Sequence, residues 1–552
     1  MKISIAQLDY HIGNFESNIR KIREAIQQAR EESADLILFA ELAVPGYPPR
    51  DFLEFDDFIH ECELGIHSIA QDCRGIAAIV GSPSRNTNPR GKRLFNTAYF
   101  LAEGKVMAMT HKSLLPNYDV FDEYRYFEPN RDFQVIEYHG IKIAVTICED
   151  LWNITDTPLY TASPMEILIQ QHPDMIVNIA ASPFHYDQMS IRRDVLARNA
   201  STYGLPVFYV NHIGAQTELI FDGGSMVVDR KGRVLDELNY FQEDLRFYRF
   251  DKAKKNVLLS DRGIMGPQNL DTSRIALIHD ALVLGIRTYF RKLGFREAIL
   301  GLSGGIDSAV TLVLAAEALG NEHVRAVLLP SRYSTGHSVR DAVELAENTG
   351  VPYQTISIEE AFRSFESLLQ PVFGDRPPDV TEENIQARVR AVVLMALANK
   401  FGYILLNTSN KSEAAVGYGT LYGDMCGGIA VLGDVYKTQV YELAAYINRS
   451  REIIPVHTIQ KPPSAELKPG QQDSDSLPDY DLLDRILFQY IEMCQGPQDI
   501  IHMGFDEKTV RKVLRMVNTN EYKRHQTPPI LRISPKAFGM GRRMPIVGRY
   551  LS

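Results

Sequence analysis

The sequence predicts an α/β protein with two domains, a mixed α/β layered sandwich followed by a doubly wound parallel sheet. Three observations predict it. The chain of 552 residues is too long for a single hydrophobic core. In its first half, short apolar runs are separated both by helical stretches and by hairpin turns. From residue 298 onward, strand-like and helix-like segments alternate, which is typical of βαβ units.

The first half combines helices with both parallel and antiparallel strand signals. Apolar residues recur at helical spacing over 16–32, which predicts a surface helix. Hairpins are indicated over 97–109, turning at Glu103 and Gly104, and at 229–232. Because hairpins join antiparallel strands, mixed sheets fit better than a purely parallel one. The further predicted strands cover 3–8, 36–40, 77–81, 142–148, 175–181 and 207–210.

A polar stretch separates the two predicted domains. Residues 251–272 contain Gly263, Gly266 and Pro267 and lack a strong period, which predicts a linker. The predicted domains therefore cover 1–250 and 273–552.

Regular alternation marks the second domain. A helix is predicted to begin near Ser273, and a strand follows at 298. Right-handed crossovers between successive strands would build a parallel, doubly wound sheet. The segment 461–483 is rich in Pro, Ser and Asp and is predicted to be a mobile loop over the site. The remaining predicted strands cover 324–329, 353–358 and 403–407.

Composition excludes several classes of protein. The formal net charge of −10 and the absence of a basic block argue against a nucleic-acid binder. Five scattered cysteines, an odd number, are no disulfide framework and fit a reducing compartment. The sequence shows no signal-peptide pattern. It also lacks the apolar run of ~18 residues that would span a bilayer. We therefore expect a cytoplasmic enzyme without a membrane or nucleic-acid partner.

The most informative stretch is residues 302–308, which read LSGGIDS between an apolar strand and a helix. The two glycines let backbone N–H groups close around an anion, and the helix N-terminus adds partial positive charge. Ser303 and Ser308 add hydroxyl donors. The Gly-Lys-Ser/Thr ending of a Walker A loop is missing. The stretch resembles the pyrophosphate loop of N-type ATP pyrophosphatases, which implies cleavage of ATP between its α- and β-phosphates.

Five more motifs follow this loop in order. The ordered set resembles the NAD synthetase family over roughly residues 272–552. The motifs are NIQARVR at 384–390, TSNKSE at 408–413, the glycine cluster GYGTLYGDMCGG at 417–428, GDVYKT at 433–438 and EYKRHQTPP at 521–529.

The residue types suit phosphate chemistry. Asp307 and Glu413 are hard oxygen ligands suited to Mg²⁺. Arg388 or Arg390, with Lys437, could neutralise phosphate charge during adenylyl transfer. The resemblance implies ATP contacts from Gly301, Leu302, Ser303, Gly304, Gly305, Ile306, Asp307, Ser308, Thr408, Lys437 and Ser464. It implies contacts to nicotinic acid adenine dinucleotide (deamido-NAD) from Asn384, Arg388, Glu413 and Lys523.

This resemblance implies a reaction in two steps. The nicotinate carboxylate attacks the α-phosphate of ATP and releases pyrophosphate. Ammonia then attacks the acyl-adenylate, giving the amide and AMP. Free ammonia is needed, because its protonated form has no lone pair.

Three residues that follow strands in the first half suggest where the ammonia comes from. Glu41 follows a buried strand, Lys112 follows the hairpin, and Cys148 ends a third strand. They resemble the catalytic triad of the nitrilase superfamily, over roughly residues 1–250, which implies an α-β-β-α sandwich. Cys148 would attack the amide carbonyl of glutamine, and Lys112 would favour its thiolate and stabilise the oxyanion. Glu41 would act as general base.

Glutamine contacts are carried over from the same resemblance. Tyr118 and Ser182 match positions that hold glutamine in that family. Gln188 stands where the family often carries a basic residue, so the contact to the glutamine carboxylate needs another explanation. Arg192 or Arg193, about one helical turn farther on, is the expected substitute.

The pairing of an amidase with an AMP-forming activator makes sense if ammonia passes internally. The whole sequence therefore resembles the glutamine-dependent NAD synthetases, which implies a tunnel from Cys148 to the pyrophosphate loop and a homo-oligomer. One alternative is another glutamine-fed, AMP-forming amidating ligase. The other is an ammonia-dependent synthetase whose first half is a non-catalytic module.

Overall fold

The computed structural model describes residues 1–258 and 270–549. The chain forms two compact units, Met1–Asp271 and Thr272–Ser552, here called unit 1 and unit 2.

Unit 1 is built mainly from strands. Its helices are α1 (Phe15–Glu31), α2 (Asp56–Asp72), α3 (Pro164–Leu168) and α4 (Gln188–Tyr203). Its strands are β1 (Lys2–Gln7), β2 (Leu36–Leu38), β3 (Ala77–Arg85), β4 (Leu94–Ala102), β5 (Lys105–His111), β6 (Ile136–Tyr138), β7 (Ile141–Ile147), β8 (Met175–Ile179), β9 (Val207–Val210), β10 (Ile213–Gln216), β11 (Leu219–Asp222), β12 (Met226–Val228), β13 (Val234–Glu237), β14 (Asp244–Asp251) and β15 (Asn256–Leu258).

These strands form two large mixed sheets and one small hairpin. The first sheet has the order β15-β14-β1-β2-β3-β4-β5, in which β1, β2 and β3 are parallel. The second has the order β13-β12-β9-β8-β7-β6, in which β7, β8 and β9 are parallel. Strands β10 and β11 pair only with each other. The two hairpins predicted from the sequence are β4–β5 and β12–β13, so both predictions are confirmed.

The two large sheets pack face to face, with a helical layer outside each. Ile3 of the first sheet and Ile143 of the second lie in one shared core, together with Leu196 of α4. Leu36 and Leu38 of β2 also belong to this shared core. Ile37, which lies between them, points to the opposite face of the sheet and packs with Ile26 of α1. Because side chains alternate along a strand, both faces of each sheet are covered. The predicted α-β-β-α sandwich is confirmed.

Unit 2 alternates strands with helices and then ends in a run of helices. Its strands are β16 (Ala298–Gly301), β17 (Val324–Leu328), β18 (Tyr353–Thr355), β19 (Ile404–Asn407) and β20 (Ile429–Ala430). Its helices are α5 (Arg274–Leu293), α6 (Ile306–Leu319), α7 (Gly336–Thr349), α8 (Glu359–Phe373), α9 (Val380–Phe401), α10 (Lys411–Val416), α11 (Lys437–Ile447), α12 (Val456–Gln460), α13 (Tyr480–Ile491), α14 (Pro497–His502), α15 (Glu507–Thr519) and α16 (Glu521–Arg524).

All neighbouring strands of unit 2 are parallel, in the order β18-β17-β16-β19-β20. The chain winds outward from β16 in both directions, so the predicted doubly wound, Rossmann-like sheet is confirmed. In such sheets, ligands bind at the carboxyl ends of the strands where the winding reverses. Residues 302–308 directly follow β16 and therefore lie at this place.

Two segments differ from the sequence-based expectation. Within the predicted linker 251–272, Asn256–Leu258 form strand β15 and pair with β14, whereas residues 259–269 lie outside the described residues. The predicted loop 461–483 is too long, because α13 begins at Tyr480. Asp479 caps that helix by accepting from the N–H of Asp481. Over 1–258 and 270–549, the structure holds no helix that is both long and apolar enough to cross a membrane.

Candidate active site

In unit 1, the structure brings the three residues of the predicted triad together. Glu41 comes shortly after β2, Lys112 directly follows β5, and Cys148 directly follows β7. Lys112 Nζ lies 2.7 Å from Glu41 Oε1. The N–H of Ala181 donates to Glu41 Oε2 at 3.0 Å and is also close enough to the Cys148 thiol to lower its pKa. A nucleophile, a carboxylate and a cation therefore share one buried site at the ends of strands from both large sheets.

A second carboxylate, which the sequence analysis missed, completes this site. Glu123 Oε2 lies 2.8 Å from Lys112 Nζ, and the hydroxyl of Tyr47 donates to Glu123 Oε1 at 2.9 Å. Asn96 Nδ2 donates to Glu41 Oε1 at 2.7 Å. Burial lowers the pKa of Lys112, but the charges of Glu123 and Glu41 outweigh it and hold that pKa well above its usual value. Lys112 is thus a permanent cation held between two carboxylates.

The Cys148 thiol is neutral in the resting site. Burial, and then the charge of Glu41, raise its pKa well above the usual value, and the charge of Lys112 only partly opposes them. Cys148 also has a positive φ of 43°, a sharp turn at the end of β7 that is uncommon for a residue other than glycine. A neutral thiol beside a carboxylate needs that carboxylate as its base.

Replacing Lys112 with methionine is expected to lower the free energy of unfolding by about 3–5 kcal/mol, because two buried carboxylates lose their shared cation. The side chains of Lys112 and Glu41 are both 0% exposed. Urea denaturation followed by circular dichroism measures the loss. Lys21→Met is the control, since its ion pair with Glu243 is partly exposed and is worth at most about 1 kcal/mol. Equal losses in the two variants would contradict the prediction.

The residues predicted to hold glutamine lie around Cys148. Gln188 Nε2 donates to Ser182 Oγ at 2.9 Å. The hydroxyl of Tyr118 donates to Glu149 Oε1 at 2.9 Å, and that of Tyr160 donates to the same oxygen at 3.2 Å. Glu149 is the immediate neighbour of Cys148 and is 6% exposed. No role follows for it from the sequence pattern alone.

The structure gives no support to the suggestion that Arg192 or Arg193 replaces the missing basic residue. Arg192 is fully buried and forms a bidentate ion pair with Asp222, with N–O distances of 2.8 and 3.2 Å. Arg193 forms a bidentate ion pair with Glu237. Both guanidinium groups are therefore already engaged inside unit 1.

In unit 2, a cavity of about 510 Å³ lies at the carboxyl end of the parallel sheet. Residues 461–473, the first part of the loop predicted over 461–483, contribute much of its wall. The sequence-predicted residues that line the cavity are Gly301, Leu302, Ser303, Gly305, Ile306, Asp307, Ser308, Thr408, Glu413, Lys437 and Ser464.

The loop 302–308, called the pyrophosphate loop here after the loop it resembles, is shaped by its own hydroxyls and by one glycine. Ser303 Oγ accepts from the N–H of Gly305 at 3.2 Å and lies 3.1 Å from Ser308 Oγ. Gly304 has a φ of 81°, and a Cβ added there would lie 2.1 Å from the carbonyl oxygen of Ser338. Gly304 therefore faces helix α7, and the loop presents its other residues to the cavity.

The two predicted metal ligands, Asp307 and Glu413, both contact the same lysine. Lys437 Nζ lies 2.5 Å from Asp307 Oδ2 and 3.3 Å from Glu413 Oε1. Asn410 Nδ2 donates to Asp307 Oδ1 at 2.8 Å, and Asn410 Oδ1 accepts from the N–H of Glu413. Burial lowers the pKa of Lys437, yet the two carboxylates outweigh it and raise that pKa. Burial raises the pKa of Glu413, and Lys437 opposes that effect.

Three residues predicted to bind the dinucleotide converge on the glycine cluster 417–428, beside the cavity lining. The hydroxyl of Thr420 donates to Asn384 Oδ1 at 2.7 Å. Arg388 Nε donates to the carbonyl of Leu421 at 3.1 Å. Lys523 Nζ donates to the carbonyls at 417 and 419, at 2.8 and 2.9 Å. Of the two arginines considered for phosphate, Arg390 lines the cavity and Arg388 is exposed.

Both halves of the chain match known families. Residues 2–254 match the carbon-nitrogen hydrolase family and residues 278–527 match the NAD synthase family. A glutamine-dependent NAD(+) synthetase from Synechocystis sp. is 44% identical over 551 residues, which cover 99% of this chain and 98% of that protein. One from Thermotoga maritima is 41% identical over 580 residues, which cover 100% and 99%.

Solved structures extend the likeness to three dimensions. A glutamine-dependent NAD+ synthetase from Acinetobacter baumannii, in complex with adenosine diphosphate, superposes with a TM-score of 0.78 at 41% identity. It covers 99% of this chain and 98% of its own. A synthetase from Cytophaga hutchinsonii shares the fold, with a TM-score of 0.82 at 22% identity, and covers 100% and 98%.

Proposed function

The chain belongs to the family of glutamine-dependent NAD(+) synthetases, and on this basis we propose how its residues divide the reaction. Unit 1 hydrolyses glutamine to glutamate and ammonia. Unit 2 uses ATP to amidate deamido-NAD to NAD, and it releases AMP and pyrophosphate. One observation carries this division: each unit gathers in one place the side chains that its half-reaction needs.

In unit 1, Cys148 is the nucleophile. Its sulfur attacks the amide carbonyl of glutamine, a thioester forms, and ammonia leaves. Glu41 takes the proton of the thiol and gives it to the leaving nitrogen, so that ammonia departs. It then takes a proton from the water that hydrolyses the thioester and returns it to the Cys148 sulfur as glutamate leaves. Lys112 stays charged throughout and stabilises the oxyanion. The raised pKa of Cys148 supports these roles, because a neutral thiol cannot attack without a base.

In unit 2, the pyrophosphate loop and Lys437 receive the phosphates of ATP. Backbone N–H groups at the start of α6 and the Lys437 ammonium stabilise the charge that develops on pyrophosphate as the nicotinate carboxylate attacks the α-phosphorus. Ammonia then attacks the acyl-adenylate carbonyl, and AMP leaves. Asn384, Arg388, Glu413 and Lys523 hold deamido-NAD beside this cavity. The convergence of Asn384, Arg388 and Lys523 on the glycine cluster supports the assignment of those three residues.

The donor set fits Mg²⁺. Asp307 and Glu413 supply two carboxylates on one wall of the cavity, and Mg²⁺ in nucleotide sites is commonly held by one or two carboxylates plus substrate phosphates. Across the described residues there is no group of three or more His, Cys, Asp or Glu that could hold a metal without such a substrate. When bound, the ion would neutralise phosphate charge during adenylyl transfer.

We place the enzyme in the cytoplasm as a homo-oligomer. Scattered reduced cysteines support the reducing compartment. Helix α8 exposes Phe365, Leu368 and Val372 at 45%, 70% and 79% on one face, and this supports self-association because contiguous exposed apolar patches mark interaction sites. Light scattering on the purified protein measures the mass of the particle.

Glu149→Gln is expected to raise the KM for glutamine by about 10- to 100-fold, because a charged hydrogen bond to the substrate ammonium is lost. The buried carboxylate beside Cys148, supplied with two tyrosine hydroxyls, suits the α-ammonium of glutamine. Ammonia-driven synthesis should not change. Glu137→Gln, an exposed position on β6, is the control. A loss confined to kcat would contradict this role.

The decisive test of the whole reaction supplies ATP and deamido-NAD with either glutamine or ammonium as the nitrogen donor. We expect NAD from both donors, with one AMP and one pyrophosphate for each NAD and glutamate only from glutamine. Mass spectrometry of the products measures this. If NAD formed with ammonium but not with glutamine, unit 1 would be a non-catalytic module. Failure with both donors would assign unit 2 to a different carboxylate substrate.

A further inference from the structure

Three consecutive residues at the start of α10 reach three different parts of unit 2. Lys411 Nζ lies 2.9 Å from Asp434 Oδ1 and 2.8 Å from Glu492 Oε1. Glu413 lies beside Lys437 in the cavity. Ser412, between them, is fully buried and turns toward α11 and α13. This short helix therefore joins the nucleotide cavity to the helices behind it.

Ser412 and one buried carboxylate hold the first turn of α11. Ser412 Oγ accepts from the N–H of Lys437 at 2.9 Å and donates to Asp484 Oδ1 at 2.5 Å. Asp484 Oδ2 accepts from the N–H of Thr438 at 2.9 Å. These two N–H groups are the first of α11 and have no partner within the helix itself. Asp484 comes from α13, is 5% exposed and lies outside every motif that the sequence analysis singled out.

Lys437 is thereby held at both its backbone and its ammonium group. Its backbone N–H is bound to Ser412, and its ammonium is bound to Glu413, the next residue along α10. The Asp484 carboxylate at the N-terminus of α11 also interacts favourably with the helix dipole. A shift of α11 against α10 would move the Lys437 ammonium away from Asp307 and Glu413.

We propose that Asp484 is a positioning residue for the adenylylation step, acting through Ser412 and the first turn of α11 on Lys437. This rests on the proposed role of Lys437 in binding ATP. An asparagine at position 484 keeps the size of the side chain but accepts at only one of its two terminal atoms. It therefore loses either the bond that Thr438 N–H donates or the bond that Ser412 Oγ donates, and in the second case the Ser412 hydroxyl has to turn. Asp484 is not among the residues that line the cavity, and we expect its effect to reach the reaction only where Lys437 is present.

The test is a double-mutant cycle of Asp484→Asn and Lys437→Met, with pyrophosphate release measured under saturating ammonium. Asp484→Asn alone is expected to lower kcat/KM for ATP by about 10- to 100-fold, the usual consequence of misplacing a catalytic group by about 1 Å. In the Lys437→Met background the same change should lower kcat/KM by less than about twofold, since neighbouring sites that act through one group are not additive. The shift in Tm caused by Asp484→Asn should be equal in both backgrounds.

Two other results of this cycle would each contradict the proposal in a different way. Equal loss of kcat/KM in both backgrounds would make Asp484 a purely structural residue and leave the role of Lys437 intact. Wild-type activity in Lys437→Met alone would remove the proposed role of Lys437, and that of Asp484 with it. Ser412→Ala is the milder variant if Asp484→Asn does not fold, and it should show the same lack of additivity. Asp506→Asn, which removes the carboxylate that caps α15, is the matched control and should retain full activity.

Discussion

Replacing Cys148 with alanine is expected to abolish glutamine-driven NAD synthesis and to leave ammonia-driven synthesis close to that of the wild type. The alanine has no nucleophile, so no thioester forms and no ammonia is released in unit 1. Loss of a catalytic nucleophile commonly lowers kcat by more than about 10⁴-fold. The fold should be retained, because Cys148 fills little volume and Lys112 keeps both of its carboxylates. Production of NAD from each donor measures the effect.

The matched control is Cys62→Ala. Cys62 is as well buried as Cys148, and burial likewise raises the pKa of its thiol, to about 12, but it lies on α2 away from Glu41 and Lys112. It should retain synthesis from both donors. Synthesis from glutamine by Cys148→Ala would rule out Cys148 as the nucleophile. If that variant lost synthesis from both donors while its circular dichroism spectrum stayed unchanged, unit 2 would require an intact Cys148.

Replacing Asp307 with asparagine is expected to lower NAD synthesis by about 10²- to 10³-fold with both donors, because Asp307 holds the cations that stabilise transition-state charge, and losing one such stabilising group costs about that much. Asp307 sits in the pyrophosphate loop, bonded to Lys437 and Asn410. The neutral amide weakens binding of Mg²⁺ and leaves Lys437 with one carboxylate instead of two. Titration of the variant with ATP in the presence and absence of Mg²⁺, by calorimetry, should show that the metal no longer strengthens binding.

Asp499→Asn is the control for this variant. Asp499 caps α14 by accepting from the N–H of Gly496, and it is exposed and outside the cavity lining. Its replacement should change neither synthesis nor the effect of Mg²⁺. A loss in Asp307→Asn that is confined to glutamine as the donor would contradict a role in adenylylation, since both donors share that step.

The regular elements were predictable because their patterns are local. The alternating and continuous apolar runs that became β7, β8, β9 and β16 are bounded by turn residues, and α1 repeats its buried residues at helical spacing. Strands β10 and β15 were missed because they are short and lack alternation. Their conformation is set by pairing with β11 and β14, which a local pattern does not report.

The proposed catalytic residues could be singled out because motifs preserve their spacing, whereas the residues that contact them could not. Glu123 stands in a short turn with no motif around it, and it reaches Lys112 only through the fold. Asp484 lies next to the apolar stripe of α13, where a polar residue ordinarily marks the solvent side. The arginines at 192 and 193 have the expected helical spacing, but Asp222 and Glu237, 30 and 44 residues farther along, bind them.

The start of α10 restricts how the length of this chain can vary during evolution. Successive residues of a helix point about 100° apart, so Lys411, Ser412 and Glu413 reach three different partners only in one register. One inserted or deleted residue between Asn410 and Glu413 would rotate all three away at once, and no single substitution could restore them. Length differences among related sequences should therefore be absent here and collect in exposed connections such as 86–93, between β3 and β4.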